Sequence, residues 1–219
     1  MESIRDYELV LFDFDGLLVD TEFLHYQAYL KMCAQRGVKL NWDFNYFCKV
    51  AHESADGLRL AIFPQFAMMH ISWEELYLEK QKKLKELIKT EPLLLMPGAS
   101  ALIKKLLECK IPMCVVTHSP KEFIDIIRDK IAELKKITYW IVREDYQFAK
   151  PNPECYQLAI DRYGQNAGKI IGFEDSYRGF SALDKTRAHP VLICSKSHPQ
   201  MQKIAEQKID YFETLSEVQ

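Results

Sequence analysis

The sequence predicts an α/β protein, with a Rossmann-like parallel sheet covered by helices on both faces and an inserted α-helical cap subdomain. Short apolar runs alternate with amphipathic stretches over most of the chain, which is the pattern of a parallel sheet covered by helices. The segment from about residue 21 to residue 94 breaks that alternation and contains no convincing strand. With 48% hydrophobic and 27% charged residues, the 219-residue chain has ordinary globular composition, and it can bury a core without disulfides.

Five apolar runs predict buried strands. They are residues 8–13, 112–117, 138–142, 169–173 and 190–194. Four stretches with helical period lie between or after them: residues 99–108, 121–134, 153–163 and 176–185. Because each of these helices follows or precedes a strand, we assign residues 1–20 and 95–219 to the α/β core.

Residues 21–94 are predicted to form the helical cap. An amphipathic helix over residues 22–36 ends near Gly37, as glycine often does at a helix end, and Asp20 is expected to cap its start. A second, highly charged helix covers residues 73–89. The aromatic and methionine-rich stretch 63–73 is expected to form the core of the cap. If part of it faces a cleft, it would favour an apolar or ring-bearing leaving group.

Charge and composition argue against several classes of partner. The 29 basic and 31 acidic residues give a net charge of -2, without the basic stripe that nucleic-acid binding favours. The longest uncharged stretch, residues 61–73, is too short to span a bilayer. The N-terminus lacks a basic signal region, and the six cysteines form no C-x-x-C pair. We therefore expect a cytoplasmic monomer with no nucleic-acid or membrane partner.

Reactive side chains follow the predicted strands. In a parallel sheet, ligands bind outside the carboxyl ends of the strands, so residues at these ends are expected to share one site. The candidates are Asp13 and Asp15 after the first strand, Thr117 at the end of the second, Lys150 after the third, and Glu174 and Asp175 after the fourth.

These segments resemble, in chain order, the four motifs of the haloacid-dehalogenase-like phosphatase superfamily. The matching residues are Asp13-Phe14-Asp15-Gly16-Leu17-Leu18-Val19-Asp20-Thr21-Glu22, then Thr117, then Lys150-Pro151, then Gly172-Phe173-Glu174-Asp175-Ser176 followed by Gly179. The helical insertion after the first motif resembles the caps of the β-phosphoglucomutase-like branch. A lone D-x-D would be a weak signal, whereas four ordered motifs are a strong one.

The resemblance implies a Mg²⁺-dependent phosphatase that forms a phospho-aspartyl intermediate on Asp13. Asp15 would protonate the leaving oxygen and later take a proton from the attacking water. By the same resemblance, Mg²⁺ is held by the Asp13 carboxylate, the Asp15 main-chain carbonyl and the Asp175 carboxylate. Glu174 would support the metal directly or through its waters.

The resemblance also implies how phosphate is bound. Lys150 would keep Asp13 ionised and hold the phosphate as a point charge. Thr117 would donate its hydroxyl to the phosphate, helped by the main-chain amide of His118 at the start of the next helix. In the cap, His25 matches a family histidine in spacing, and Lys80 is a candidate for a lysine that faces the substrate. The alternative is a surface or hinge histidine with no part in the chemistry for His25, and a solvated helix lysine for Lys80.

One departure from the branch bears on the reaction. Residues 49–54 lack the glycine and the arginine with which mutases of this branch hold a second phosphate. This favours a phosphatase acting on a small phosphorylated metabolite over a phosphosugar mutase, and leaves Lys49 and His52 as candidate substrate contacts. A non-catalytic phosphate-binding protein is a third alternative, which the retained catalytic residues disfavour. Asp15 disfavours haloacid dehalogenation, which needs no proton donor there.

Overall fold

A parallel sheet of six strands lies at the centre of the structure, a computed structural model that describes residues 3–53, 56–209 and 211–218. The strand order is β3-β2-β1-β4-β5-β6. The strands are β1 (Leu9–Phe12), β2 (Met113–Val116), β3 (Tyr139–Ile141), β4 (Ile170–Glu174), β5 (His189–Ile193) and β6 (Tyr211–Phe212). All adjacent pairs are parallel, so the predicted fold class is confirmed.

The five predicted strands are all present. β1, β2 and β3 are each two residues shorter than predicted, and β4 and β5 have the predicted length but are shifted by one residue. The sixth strand, β6, was not predicted. It is only two residues long and pairs with β5 at the sheet edge, so its sequence carries too little period-2 pattern to be recognised.

Alternating side chains of the central strand β1 point to opposite faces of the sheet, and each face is covered by helices. Val10 and Phe12 pack in the same hydrophobic cluster as side chains of α5 (Ala99–Glu108) and α6 (Lys121–Lys130). Leu9 and Leu11 pack on the other face, against α7 (Glu154–Tyr163) and α8 (Tyr177–Leu183). Burial on both faces explains why the strand sequences are apolar throughout.

Between β1 and α5, the described chain is helical apart from its turns and connections. It contains α1 (Glu22–Gln35), α2 (Phe44–Glu53), α3 (Gly57–Ile62) and α4 (Trp73–Thr90). Ser72 and Glu75 form a reciprocal capping box at the start of α4. These helices bury an apolar cluster of their own. Its buried side chains are Tyr29, Met32, Cys33, Leu40, Phe47, Cys48, Ile62, Phe66 and Leu76.

The expected core role of stretch 63–73 is only partly correct. Phe66 is fully buried, and Phe63, Ile71 and Trp73 pack against the cluster. Met68, in contrast, is 91% exposed, and Met69 is also exposed. Both methionines follow the 3₁₀ turn Phe63–Phe66, where the chain turns outward before α4.

Two connections join the helical segment to the sheet, and they run side by side. The N–H of Asp20 donates to the carbonyl of Leu94 at 3.0 Å, and the N–H of Met96 donates to the carbonyl of Leu18 at 2.9 Å. The outgoing connection turns at Gly16, whose φ of +80° is a conformation that glycine adopts without strain. The helical segment is therefore joined to the sheet through these two adjacent, hydrogen-bonded connecting segments.

Two helix ends differ from the prediction. Thr21, not Asp20, occupies the N-cap position of α1, and it makes no side-chain capping bond. Helix α6 ends at Lys130 rather than residue 134, because Ile131 takes an extended conformation before the 3₁₀ turn Leu134–Lys136. The helix α9 (Met201–Glu206) was not predicted. None of the helices in the described part of the chain is long and apolar enough to cross a membrane.

Candidate active site

The candidate residues meet at the carboxyl edge of the sheet, in a cavity of about 500 Å³. Asp13, Asp15, Lys150, Glu174 and Asp175 all line it, together with side chains from α1, α2, α3 and α4. The central position of β1, between β2 and β4, brings the ends of these strands together. Residues separated by up to 162 positions in sequence are thus neighbours in space because of strand order alone.

Lys150 is the buried cation of the site. Its Nζ donates to Asp13 Oδ1 at 2.5 Å and to the carbonyl of Val116 at 3.1 Å, and it lies 2.7 Å from Glu174 Oε1. Burial acts to lower the pKa of Lys150, but Asp13 and Glu174 oppose it and hold that pKa well above its usual value. Lys150 therefore stays charged and fixes the orientation of the Asp13 carboxylate.

Glu174 is held from several sides at the end of β4. The hydroxyl of Tyr156 donates to its Oε1, while its Oε2 is buried and has no hydrogen-bond partner among the described residues. A Cβ on Gly179 would lie 2.0 Å from Oε2, which is far inside van der Waals contact. Glycine at position 179 therefore makes room for the Glu174 carboxylate.

Three carboxylates converge closely enough to share a cation. Asp13, Glu174 and Asp175 can each offer one oxygen, and these oxygens lie within 4.8 Å of one another. Burial raises the pKa of Asp13 to about 7, with Glu174 contributing to the rise and Lys150 opposing it. The pKa of Asp175 stands well above its usual value through burial and the nearby Asp13 and Glu22.

This crowding fits a hard divalent cation. Clustered carboxylates repel one another when ionised, and a dication removes that repulsion. Mg²⁺ prefers one or two carboxylates together with waters and phosphate oxygens. Asp13 and Asp175 supply such oxygens, and the unpartnered Oε2 of Glu174 is a further donor. The residues present therefore fit a Mg²⁺ site.

Asp15 is surrounded by hydroxyl groups. Its Oδ1 accepts from Thr21 Oγ1 at 2.6 Å, and its Oδ2 accepts from Ser119 Oγ at 2.7 Å and from Thr117 Oγ1 at 3.2 Å. The Thr117 hydroxyl also accepts from the N–H of Ser119 at 2.9 Å. Ser119 was not predicted: it lies two residues beyond the recognised motif, and only the loop after β2 turns it back onto Asp15.

His118 does not lie at a helix start, as the sequence had suggested, because α6 begins only at Lys121. Its side chain instead accepts a hydrogen bond at Nε2 from the N–H of Lys150 at 2.9 Å. Burial, together with Lys150 and Arg178, holds the pKa of His118 well below its usual value. A neutral His118 therefore supports the loop that carries Lys150.

His25 on α1 and Lys80 on α4 form a pair that points at Asp15. Lys80 Nζ donates to His25 Nδ1 at 3.1 Å, and His25 Nε2 lies 3.9 Å from Asp15 Oδ1. Lys80 is only 2% exposed, so the alternative of a solvated surface lysine is wrong. Burial lowers the pKa of Lys80 to about 7, and burial with the neighbouring Lys80 lowers the pKa of His25 to about 4.

The cavity also contains cationic residues that were not predicted. Arg59 from α3 and Arg143 and Arg178 from the sheet side line it. Arg59 lies five residues beyond the end of segment 49–54, and in the structure it pairs with Asp56. Of the two candidates in that segment, His52 lines the cavity and Lys49 is exposed elsewhere. Ser54, at the end of the segment, lies outside the described residues.

Comparison with known proteins identifies the family. The family model described as "Haloacid dehalogenase-like hydrolase" matches residues 10–192. A (DL)-glycerol-3-phosphatase 2 from Arabidopsis thaliana is 27% identical over 190 residues, which covers 84% of this chain and 78% of that protein.

Solved structures share the fold. CbbY from Rhodobacter sphaeroides in complex with phosphate superposes with a TM-score of 0.78 and 19% identity, covering 96% of each chain. A putative beta-phosphoglucomutase from Thermotoga maritima superposes with a TM-score of 0.70 and 22% identity, again over 96% of each chain. At these identities the similarity establishes the fold.

The chain belongs to the haloacid dehalogenase-like hydrolases. The sequence-based recognition of this family, and with it the prediction of a hydrolytic enzyme, is confirmed.

Proposed function

We propose that this protein is a Mg²⁺-dependent phosphatase that hydrolyses a small phosphorylated metabolite through a phospho-aspartyl intermediate on Asp13. The observation that carries the proposal is the contact of a buried, charged Lys150 with Asp13 at 2.5 Å, beside Asp15 and the carboxylates of Glu174 and Asp175 in one cavity. Named phosphatases among the relatives support the same reaction type.

In the first step, Asp13 attacks the phosphorus of the bound ester. Lys150 holds Oδ1, which leaves Oδ2 as the attacking atom. As the bond from phosphorus to the leaving oxygen breaks, Asp15 transfers its proton to that oxygen. When bound, Mg²⁺ neutralises the phosphoryl oxygens and the carboxylates around them.

In the second step, Asp15 takes a proton from a water molecule as that water attacks the phospho-aspartate. The bond between phosphorus and the Asp13 oxygen breaks, and inorganic phosphate leaves. The hydroxyls of Thr21, Ser119 and Thr117 hold Asp15 in place. We assign His25 and Lys80 a positioning role, because His25 Nε2 faces Asp15 at 3.9 Å while Lys80 fixes the other ring nitrogen.

We assign residues 21–94 as a cap over residues 1–20 and 95–219. Side chains of this segment, including Tyr29, Trp73 and Tyr77, line the cavity opposite the catalytic carboxylates. Hinging about the paired connections at Asp20 and Leu94 would open the cavity to substrate and close it against bulk water. Six free cysteines support a reducing, cytoplasmic setting, and we propose that the chain acts as a monomer without nucleic-acid or membrane partners.

The cavity wall favours a leaving group with a second negative charge. Arg178 makes no hydrogen bond or ion pair with any described residue, and its Nε is buried. Arg143 donates only to the carbonyls of Tyr146 and Gln147. Neither cation has a carboxylate partner within the described chain, so each can bind an anionic group of the substrate.

Arg59 gives a second candidate function a structural basis. Segment 49–54 lacks an arginine, but Arg59 lines the cavity from the cap side, where a mutase would hold the second phosphate. A phosphosugar mutase would convert β-glucose 1-phosphate to the 6-phosphate, whereas a phosphatase would release inorganic phosphate from it. Product analysis by ³¹P NMR separates the two.

A metabolite phosphatase screen with and without Mg²⁺ tests the main proposal. We expect phosphate release that needs Mg²⁺ and falls by orders of magnitude in Asp13→Asn. The matched control is Asp20→Asn, which changes an exposed aspartate of the same connection and should leave turnover near the wild-type value. Equal turnover in Asp13→Asn and wild type would refute the nucleophile, and the proposal with it.

A further inference from the structure

A second group of metal-binding side chains lies where the cap meets the core. We call it the junction cluster: Glu22 on α1, Cys48 and His52 on α2, and His198 in the loop before α9. Glu22 Oε1 lies 2.5 Å from His52 Nε2, and Cys48 Sγ lies 4.0 Å from Glu22 Oε2. The rings of His52 and His198 stack with centroids 4.9 Å apart. The cluster thus joins two cap helices to one loop of the core.

Two nitrogens of the cluster are buried without a partner. His198 Nε2 and His52 Nδ1 find no hydrogen-bond partner in the described part of the chain, and the His52 side chain is only 10% exposed. Buried imidazole nitrogens normally bind a protein group, a water or a metal. The remaining nitrogens are engaged, His52 Nε2 by Glu22 and His198 Nδ1 by the N–H of Gln200 at 3.2 Å.

We propose that the junction cluster binds a thiophilic divalent cation, with Glu22, Cys48 and His198 as its ligands. The cation that we propose is Zn²⁺. One donor atom from each of these three residues lies within 4.8 Å of the other two. This site adjoins the carboxylate site, since one donor atom each of Glu22, His52 and Asp175 also lies within 4.8 Å of the other two. The two sites have no ligand in common, and the junction site stands independently of the proposed phosphatase reaction.

The spacing of the ligands is close to that of a bound site. Zinc–ligand bonds of about 2.0–2.3 Å at tetrahedral angles place ligand atoms roughly 3.3–3.8 Å apart. Cys48 Sγ and Glu22 Oε2 are 4.0 Å apart, and a His198 nitrogen lies within 4.8 Å of a donor atom of each residue. The three side chains must therefore move inward to complete the bonds. Water would take the fourth position, and His52 would orient Glu22 through the hydrogen bond to Oε1.

The donor types explain why the two sites select different cations. Thiolate and imidazole favour zinc and similar transition metals, whereas carboxylate and water favour Mg²⁺. Asp13, Glu174 and Asp175 offer only oxygen, while the junction cluster offers sulfur, nitrogen and oxygen. A protein that holds Mg²⁺ at the first site can therefore bind Zn²⁺ at the second.

Binding requires one proton to leave the protein. Burial raises the pKa of Cys48 to about 12, so the free protein carries the thiol, and coordination transfers that proton to solvent. His198 is neutral, because burial and His52 lower its pKa to about 4. Its ring proton moves from Nε2 to Nδ1 on binding, which gives up the hydrogen bond from Gln200.

The bound cation would tie the cap to the catalytic loop. The loop that carries His198 is anchored at the active site, since Gln200 Nε2 donates to the carbonyl of Asp175 at 2.5 Å. Glu22 and Cys48 belong to α1 and α2. Coordination would therefore hold the cap in contact with the core and oppose opening of the cavity.

Cobalt spectroscopy and zinc calorimetry on the Mg²⁺-saturated full chain test this site. We expect one Co²⁺ per chain with a thiolate-to-cobalt charge-transfer band, and Zn²⁺ binding that releases one proton when measured in buffers of different ionisation enthalpy. Cys48→Ser should abolish the band, and Cys48→Ser and His198→Asn should each weaken Zn²⁺ binding at least about tenfold. Thermal unfolding should shift upward with Zn²⁺ in the wild type, and by much less in Cys48→Ser and His198→Asn.

Matched controls separate this site from surface binding. Cys109→Ser and His70→Asn change the same residue types outside the cluster and should keep the band and the affinity. A wild-type complex with Co²⁺ that lacks a thiolate band would overturn the proposal, as would unchanged Zn²⁺ affinity in His198→Asn. The band arises only from a cysteine ligand, so Co²⁺ at the carboxylate site cannot produce it. The presence or absence of the band in the wild type therefore tests the proposal even if Cys48→Ser does not fold.

Discussion

The two buried lysines of the cavity show how differently the α/β core and the proposed cap hold a charge. Lys150, on the core side, lies against Asp13 and Glu174, and its pKa is held well above the usual value despite burial. Lys80, on the cap side, is equally buried, and its contacts within the described part of the chain are with His25 and the faces of Tyr29 and Tyr77. Burial lowers its pKa to about 7.

The difference has a consequence for stability as well as for chemistry. A buried charge with ionic partners leaves those partners uncompensated when it is removed. A buried charge without an ion pair carries an unfavourable desolvation free energy, which its removal relieves. We therefore expect opposite effects on stability from the same substitution at the two positions.

The largest expected effect is that of Lys150→Met. Removing the ammonium leaves Asp13 and Glu174 as unpaired buried carboxylates, which should lower the free energy of unfolding by about 3–5 kcal/mol. Phosphatase turnover should fall by at least about a hundredfold, because Asp13 is no longer held ionised. Urea unfolding and steady-state kinetics measure the two effects, and a variant as stable and active as the wild type would show that Lys150 has neither role.

Gly179→Ala is expected to have the second largest effect. The added Cβ would lie 2.0 Å from Glu174 Oε2, so the carboxylate or α8 must move, at a cost of about 1–3 kcal/mol. Turnover should fall with stability, because Glu174 contacts Lys150. The matched control is Gly37→Ala, where no atom lies within 4 Å of the added Cβ and only the positive φ is strained. That variant should lose some stability and keep its turnover per folded molecule.

Lys80→Met should stabilise the protein in a pH-dependent way. The pKa of Lys80 is about 7 in the folded chain, against an ordinary value of 10.5. As pH falls from 10.5 to 7, the unfolded chain binds a proton before the folded chain does, so the wild type loses stability across that window. The variant lacks this loss and should be more stable at pH 7 by on the order of 3 kcal/mol, with the advantage shrinking toward pH 10.

Urea unfolding at several pH values between 7 and 10 measures this advantage. Lys82→Met, two residues away and exposed, is the control and should show no pH-dependent difference from the wild type. An advantage of Lys80→Met that stays constant with pH would mean that the lysine is solvated in the folded state. The same variant should lose turnover if His25 needs Lys80 for its orientation toward Asp15.

The core and the cap also differ in how much the sequence could predict. Asp13 and Lys150 follow strands and Glu174 ends one. The rule that the carboxyl ends of parallel strands share one edge of the sheet was enough to predict that these residues meet. The cap contacts depend on which face of each helix turns inward, and one-dimensional pattern does not determine this for a charged helix such as α4. The sequence therefore left open whether Lys80 faces the substrate or the solvent, and it did not indicate that Arg59 lines the cavity.

Loop geometry limited prediction within the core as well. Ser119 reaches Asp15 because residues 118–120 form a loop before α6, whereas the sequence suggested that a helix begins at His118. Similarly, Asp20 was expected to cap α1, but the structure places Thr21 at the N-cap position, where its hydroxyl donates to Asp15. Local propensity cannot distinguish two adjacent polar residues when a distant carboxylate decides which one turns inward.

The smallest expected effect on stability is that of a substitution at Arg178, which lies on the substrate side of the cavity. Arg178→Gln removes a cation with no ionic partner in the described chain, so the protein should fold with stability within about 0.5 kcal/mol of the wild type. For a substrate with a second negative charge, such as 2-phosphoglycolate, kcat/KM should fall about tenfold or more, chiefly through KM. For ethyl phosphate, which lacks that charge, it should change little. Equal losses on both substrates would instead assign Arg178 to the transferred phosphoryl group, and no loss on either would leave the arginine outside the substrate site.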